Sequence, residues 1–292
     1  MGIFLGLLAA VGWGTGDFLT RGVTRQIGAQ RTLLYVQFFG LAAIILVALA
    51  LGEFARIPSI APSAWLVAVV SAAIGVTASL TMFTAFERGV LMIVSPIAAS
   101  YGAITVLLSL LSGETLSPVR ALGVGISILG IILASIELTP DAGPRVATLN
   151  RYRLPPGVAF ALMAAFLFGI SFWLVGFYVV PALGPVLPVV VTRGLGIVLV
   201  LPIVTLIGHH TARPPARRVT LIVLAIALLD TMAFAANNLG MATEQVSVVA
   251  VLSSMFAAVT VILAWLFLHE RIRWGQWLGI GLILTGIVLV SI

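Results

Sequence analysis

Residues 113–136 read GETLSPVRALGVGISILGIILASI, and residues 269–292 read HERIRWGQWLGIGLILTGIVLVSI. Sliding one copy by 156 positions superposes Glu114 on Glu270, Leu122 on Leu278, and Gly123, Gly125 and Gly130 on Gly279, Gly281 and Gly286. Ile131, Leu133, Ser135 and Ile136 then fall on Ile287, Leu289, Ser291 and Ile292. An acidic residue followed by an apolar span with glycines at matching places, held over one unbroken offset, marks a duplicated chain.

Composition sets the class of both copies. With 61% hydrophobic and 8% charged residues and a mean hydropathy of +1.24, 292 residues carry more apolar side chain than a soluble core can hide, so the chain is an integral membrane protein. Its 15 basic residues are all arginine and sit mainly in short connections between apolar runs. That distribution is membrane topology and not a nucleic-acid footprint. Cysteine is absent, which excludes disulfides, thiol catalysis and thiolate metal sites. The opening MGIFLGLLAA has no basic leader, so the first run is expected to stay as a permanent span.

A helix needs about 20 apolar residues to cross a bilayer. Such runs lie near 2–20, 32–51, 64–86, 91–112, 118–137, 156–179, 184–208, 219–240, 246–268 and 275–292. They lack the period-2 alternation of a membrane barrel, so the expected fold is all-α with ten transmembrane helices. The polar stretch LTPDAGPRVATLNRYRLPP, 138–156, separates two five-span halves, giving a first repeat 1–137, a linker 138–155 and a second repeat 156–292. Because five is odd, the second half enters the membrane from the opposite face, so the two form an inverted repeat.

Arginine placement agrees with inversion. The odd-numbered connections hold twelve arginines, from Arg21, Arg25 and Arg31 to Arg271 and Arg273, while the even-numbered ones hold only Arg56 and Arg120. Positive loops face the cytoplasm, which places both termini outside a cell (inner) membrane.

Ten spans in two inverted halves, a Trp-Gly motif in AAVGWGTGDFLTRG with a weaker echo in AFLFGISFWLVG, and a Glu before each half's last span resemble the EamA family of the drug/metabolite transporter superfamily. The resemblance covers essentially the whole chain. It implies a secondary transporter that exports small metabolites, amino acids foremost, with sugars, nucleotide-sugars or drugs as the alternatives within the superfamily. It also implies a central cavity among spans 1, 3, 4, 6, 8 and 9, with spans 5 and 10 packed outside. Some members of that family keep their termini in the cytoplasm, a departure from the arginine count here.

Polar groups inside the spans carry the functional expectation, since an ionisable side chain in the membrane costs about 2.5 kcal/mol or more. Arg193 lies inside the seventh span and corresponds to Gln37 in the second, while Asp230 sits near the middle of the eighth. Arg193 and Asp230 are expected to pair, either to fix two spans or to couple transport. From Asp230, helical spacing carries one face through Phe234, Asn237, Asn238 and Met241. This stripe serves either inter-helix hydrogen bonding or the lining of a cavity. Pro96 frees a backbone carbonyl near Ser100 and Tyr101, making either a kink or a polar binding element. Trp13 and Asp17, one turn apart, offer an ammonium group both cation–π attraction and charge, unless Asp17 pairs with Arg21. The glycines at 12, 14 and 16 read as close-packing positions.

The site expected for a small-molecule substrate is therefore Trp13, Asp17, Ser100, Tyr101, Phe234, Asn237 and Asn238, with Gln37, Arg193 and Asp230 as structural or coupling groups. Of the span carboxylates, Asp17 is the better candidate for a coupled proton. No cofactor, metal or nucleic-acid partner is expected: His209 and His210 have no carboxylate or cysteine nearby, and no conventional nucleotide-binding motif occurs. Lipid is the surrounding partner, and a monomer suffices for the pathway. An intramembrane aspartyl protease is the rival of another class, since Gly14-Thr15-Gly16-Asp17 and Pro181-Ala182-Leu183 match its short motifs. Their order fails: nothing acidic precedes Asp17, and Pro181-Ala182-Leu183 falls between Asp17 and Asp230.

Overall fold

The computed structural model describes residues 1–136, 156–207, 215–268 and 274–291; the whole linker 138–155, His209, His210 and Glu270 lie outside them. In chain order the helices are α1 (Gly2–Ile27), α2 (Ala29–Ala50), α3 (Pro62–Arg88), α4 (Leu91–Ala99), α5 (Tyr101–Leu111), α6 (Pro118–Ile136), α7 (Val158–Leu174), α8 (Val180–Leu183), α9 (Leu187–Ile207), α10 (Arg217–Thr243), α11 (Val246–Ser254), α12 (Phe256–Leu268) and α13 (Trp274–Ser291). A 3₁₀ segment, Glu53–Ser59, precedes α3, and a π-helical turn, Val175–Val179, joins α7 to α8. No strand occurs among the described residues.

Eight helical stretches are long and apolar enough to cross a membrane, counting α4 with α5, α7 with α8, and α11 with α12 as one each. The fifth and tenth expected spans coincide with α6 and α13, which contain the shorter apolar helical stretches Pro118–Gly130 and Trp277–Gly286. The 19 and 18 residues of α6 and α13 rise about 27–28 Å, close to a hydrocarbon core of about 30 Å.

The packing repeats itself. α1 lies on α10 as α7 lies on α3, and α2 lies on α10 as α9 lies on α3, so exchanging each span with the one five later returns the same contacts. Two pairs map onto themselves, α6 with α13 and α2 with α9, while α5 on α11 returns as α12 on α4. This pattern is what an in-plane two-fold axis through an inverted repeat requires. α6 and α13 pack chiefly against each other, away from the centre.

Small residues set the closest approaches. A Cβ on Gly14 would come within 2.5 Å of Val259 Cβ and 2.7 Å of the Phe256 carbonyl oxygen, so α1 reaches α12 only because that position is bare. Gly12 faces Ala233 of α10. At these two positions the expected packing role is what the geometry requires.

Two spans are broken at matching depth. Ser100 (φ −63°, ψ −6°) separates α4 from α5, and Met255 (φ −69°, ψ −2°) separates α11 from α12. At both places the backbone tightens to three-residue hydrogen bonds, Ser100 N–H to Ile97 and Met255 N–H to Leu252. Pro96 explains the first break, because it removes a donor from the preceding turn. The second has no proline; Ser253 and Ser254 donate to the carbonyls of Ala250 and Val251, side-chain bonds of the kind that bend helices.

Candidate functional site

A cavity lies between the two halves. Its walls are Trp13 and Asp17 of α1, Leu33 of α2, Ser79, Met82 and Phe83 of α3, Tyr101 of α5, Phe168 and Phe172 of α7, Asp230 and Phe234 of α10, and Phe256 of α12. Spans 1, 3, 4, 6, 8 and 9 all contribute, joined by Leu33 from the second. The cavity encloses about 480 Å³ of empty space, including its open side.

Seven of the twelve lining residues are aromatic, and the rings of six of them, all but Phe83, form a connected cluster. Trp13 stands edge-on to Phe234 at 5.0 Å and tilts against Phe172 at 5.4 Å. Tyr101 meets Phe172 at 4.9 Å and stacks on Phe256 at 6.1 Å, with 8° between the planes. Tyr101 and Phe256 each begin the helix after a break, so the two breaks deliver one ring apiece. The hydroxyls of Tyr101 and Ser253 bond at 3.0 Å, which holds the tyrosine ring in place. Such ring pairs add about 0.5–1.5 kcal/mol each beyond area burial.

Two carboxylates interrupt this aromatic wall, in different settings. Arg193 Nη2 lies 2.8 Å from Asp230 Oδ2, with side-chain exposures of 2% and 21%. Arg193 also donates through Nη1 to Gln37 Oε1 at 2.8 Å and rests over the Phe234 ring at 5.3 Å. Its charge thus serves Asp230, Gln37 and Phe234 from behind the wall. Among the described residues no hydrogen bond or ion pair engages Asp17, and its carboxyl group faces the cavity.

The remaining expected site residues sit elsewhere. Ser100 donates to its own helix at the Ile97 carbonyl, 2.7 Å, and marks the break. Asn237 is wholly buried and turns its amide to Met241 Sδ at 3.6 Å. Asn238 donates to the Pro185 carbonyl at 3.1 Å. None of the three lines the cavity. Sequence reasoning did not single out Leu33, Ser79, Met82, Phe83, Phe168, Phe172 or Phe256. Phe168 and Phe172, one helical turn apart in the motif echo of the second half, carried the one available signal.

One end of the bundle is tied shut between the halves. Arg120 donates to Glu244 at 2.9 Å and to Gln245 at 3.2 Å, while Gln245 Nε2 donates to the Thr115 carbonyl at 2.6 Å. Glu114, the acid that opens the first repeated stretch, accepts the Ser247 N–H at 3.1 Å in the first turn of α11, where a helix favours negative charge. Gly2 lies against Gly240 and Glu244, so this latch stands at the start of α1. Leu33, Met82 and Phe83 lie toward the opposite end, which carries Arg25, Arg31 and Arg88.

A model of the EamA-like transporter family matches residues 1–136 and 155–292, one match to each half. The chain belongs to the EamA-like transporter family. The EamA-like chain is 34% identical over 136 residues to an uncharacterised protein of Methanocaldococcus jannaschii, an alignment covering 46% of this chain and 96% of that protein. That relative is therefore about one repeat long, the size of the unit that duplication would double. A solved crystal structure superposes with a TM-score of 0.72 at 17% identity, covering 100% of this EamA-like chain and 98% of the other. The likeness is one of fold. Family membership makes the cavity a feature of a multi-pass membrane transporter, which takes a small-molecule substrate in a lipid environment.

Proposed function

We propose that this chain exports small amine-bearing metabolites, amino-acid derivatives foremost, across the cell (inner) membrane by alternating access. One observation carries the reading: a cavity built from both halves of an inverted repeat presents the unpaired carboxylate of Asp17 beside the Trp13 ring. An ammonium group gains charge attraction from the first and cation–π attraction from the second. Of the expected site residues, Trp13, Asp17, Tyr101 and Phe234 form the binding surface. Gln37, Arg193 and Asp230 brace it.

The cycle follows from the latch. With Arg120, Glu244, Glu114 and Gln245 joined, the cavity communicates with the arginine-bearing end, which the charge asymmetry assigns to the cytoplasm. Rocking the halves about their common axis breaks the latch and exposes the cavity to the other side. Asp17 carries either the substrate's ammonium or a proton, so that the proton gradient drives export. A monomer contains the whole pathway. Cells producing the protein should tolerate toxic amine or amino-acid analogues better than cells producing Asp17→Asn at equal abundance; equal sensitivity of the two would refute the reading.

A further inference from the structure

We infer that the substrate binds as a small organic cation with an aromatic or apolar body, an amine whose carboxyl group is absent or blocked, and not as a zwitterion. This rests on the cavity being the transport site.

Charge is the first ground. The lining contains two acidic residues and no arginine or histidine, and the chain has no lysine. Arg193 balances Asp230 at 2.8 Å and is 2% exposed, so its charge is already matched and it does not line the cavity. One carboxyl group without a counterion, that of Asp17, is left facing the space. A substrate with one positive charge neutralises it, whereas a free carboxylate entering beside Asp17 and Asp230 meets like charge in a low-dielectric setting.

Hydrogen-bond donors are the second ground. A carboxylate needs N–H or O–H groups aimed at it, and the polar groups that sequence spacing offered donate elsewhere and do not line the cavity: Asn237 to Met241, Asn238 to the Pro185 carbonyl, Ser100 to the Ile97 carbonyl. The Ser79 hydroxyl donates to the Gly75 carbonyl at 2.9 Å, and the Tyr101 hydroxyl is bonded to Ser253. The walls are otherwise seven aromatic rings, Leu33 and Met82. Rings present electron-rich faces to cations and apolar area to an uncharged body.

The test uses four probes that share a phenyl body and differ in charge: 2-phenylethylamine, phenylalaninamide, phenylalanine and 3-phenylpropionate. Binding to the purified full chain is measured by calorimetry, and movement by counterflow in reconstituted vesicles. The amine and the amide should bind at least 10-fold more tightly than phenylalanine, and phenylpropionate should not bind. Asp17→Asn should reduce the amine's advantage to less than 3-fold while Asp17→Glu keeps it. The glutamate variant separates loss of charge from loss of fold. Phenylalanine binding as tightly as the amine, and being moved, overturns the inference while leaving the transport reading intact. If none of the four is bound or moved, the reading of the cavity as transport site fails and the inference fails with it.

Discussion

Gln37 and Arg193 are 156 residues apart and hydrogen-bonded at 2.8 Å, the same offset that lays Glu114 on Glu270. Equivalent positions of the two repeats therefore touch, and the bond crosses the pseudo-two-fold axis. The neighbouring glycines are equivalent as well. A Cβ on Gly40 would lie 2.9 Å from Arg193 Nε, and one on Gly196, 156 residues on, would strike the Gln37 amide. Each long polar side chain lies over the bare turn of the opposite helix. The symmetry is broken only in charge, since the counterpart of Asp230 is Ile74. Two arginines at the axis would repel with a single acid to balance them; one arginine, one glutamine and one aspartate close the set.

Arg193→Gln or Asp230→Asn alone should destabilise the protein by about 3–5 kcal/mol, because each leaves the other charge buried without a counterion. The double substitution should recover a substantial part of that loss. Thermal unfolding in detergent, with abundance in membranes as a second readout, completes the cycle. Additive damage in the double variant would show that the pair has no coupling energy.

The absence of native cysteine makes the latch directly measurable. Arg120 and Glu244 are 24% and 19% exposed, and such a pair is worth about 1 kcal/mol at most, or about a fivefold shift in the balance of closed and open forms. A single cysteine at Ser253, behind Tyr101, should react up to about five times faster with an impermeant maleimide added to the latch side when Arg120 is changed to Ala. An unchanged rate would mean that this contact does not govern access.

Orientation is tested by fusion. A reporter following Ile292 should read as periplasmic and one inserted near Arg151 as cytoplasmic, since arginine-rich loops stay inside. The reverse pattern would place the latch on the cytoplasmic side and reverse the direction of access, with the fold unchanged.

The duplication was legible because it is written in an unbroken offset, and Arg193 with Asp230 because a charge inside a membrane must find an opposite one. The cavity wall was not. A phenylalanine in an apolar span has the same sequence context whether it faces lipid or substrate: Phe166 is 58% exposed on the bundle's outside, while Phe168 and Phe172 line the cavity. Helical spacing also joined Asn237 and Asn238 to Asp230, yet neighbours on a helix point about 100° apart, and these amides bond within the packed bundle. The break at Met255 carries no proline to announce it.

The central claim is that transport runs through the aromatic cavity and its Asp17 carboxylate. Proton-driven movement of 2-phenylethylamine, counted per protein molecule in reconstituted vesicles, tests it most directly when wild type, Asp17→Asn and the double variant Asn237→Ala with Asn238→Ala are run side by side. Asp17→Asn should retain its fold, because the carboxylate has no partner to lose, and should fall at least 100-fold in transport. The asparagine variant should lose about 1–3 kcal/mol of stability, since its hydrogen bonds hold the bundle, yet move substrate per folded molecule within about 3-fold of wild type. Full activity of Asp17→Asn, or a folded asparagine variant that moves nothing, would contradict the account.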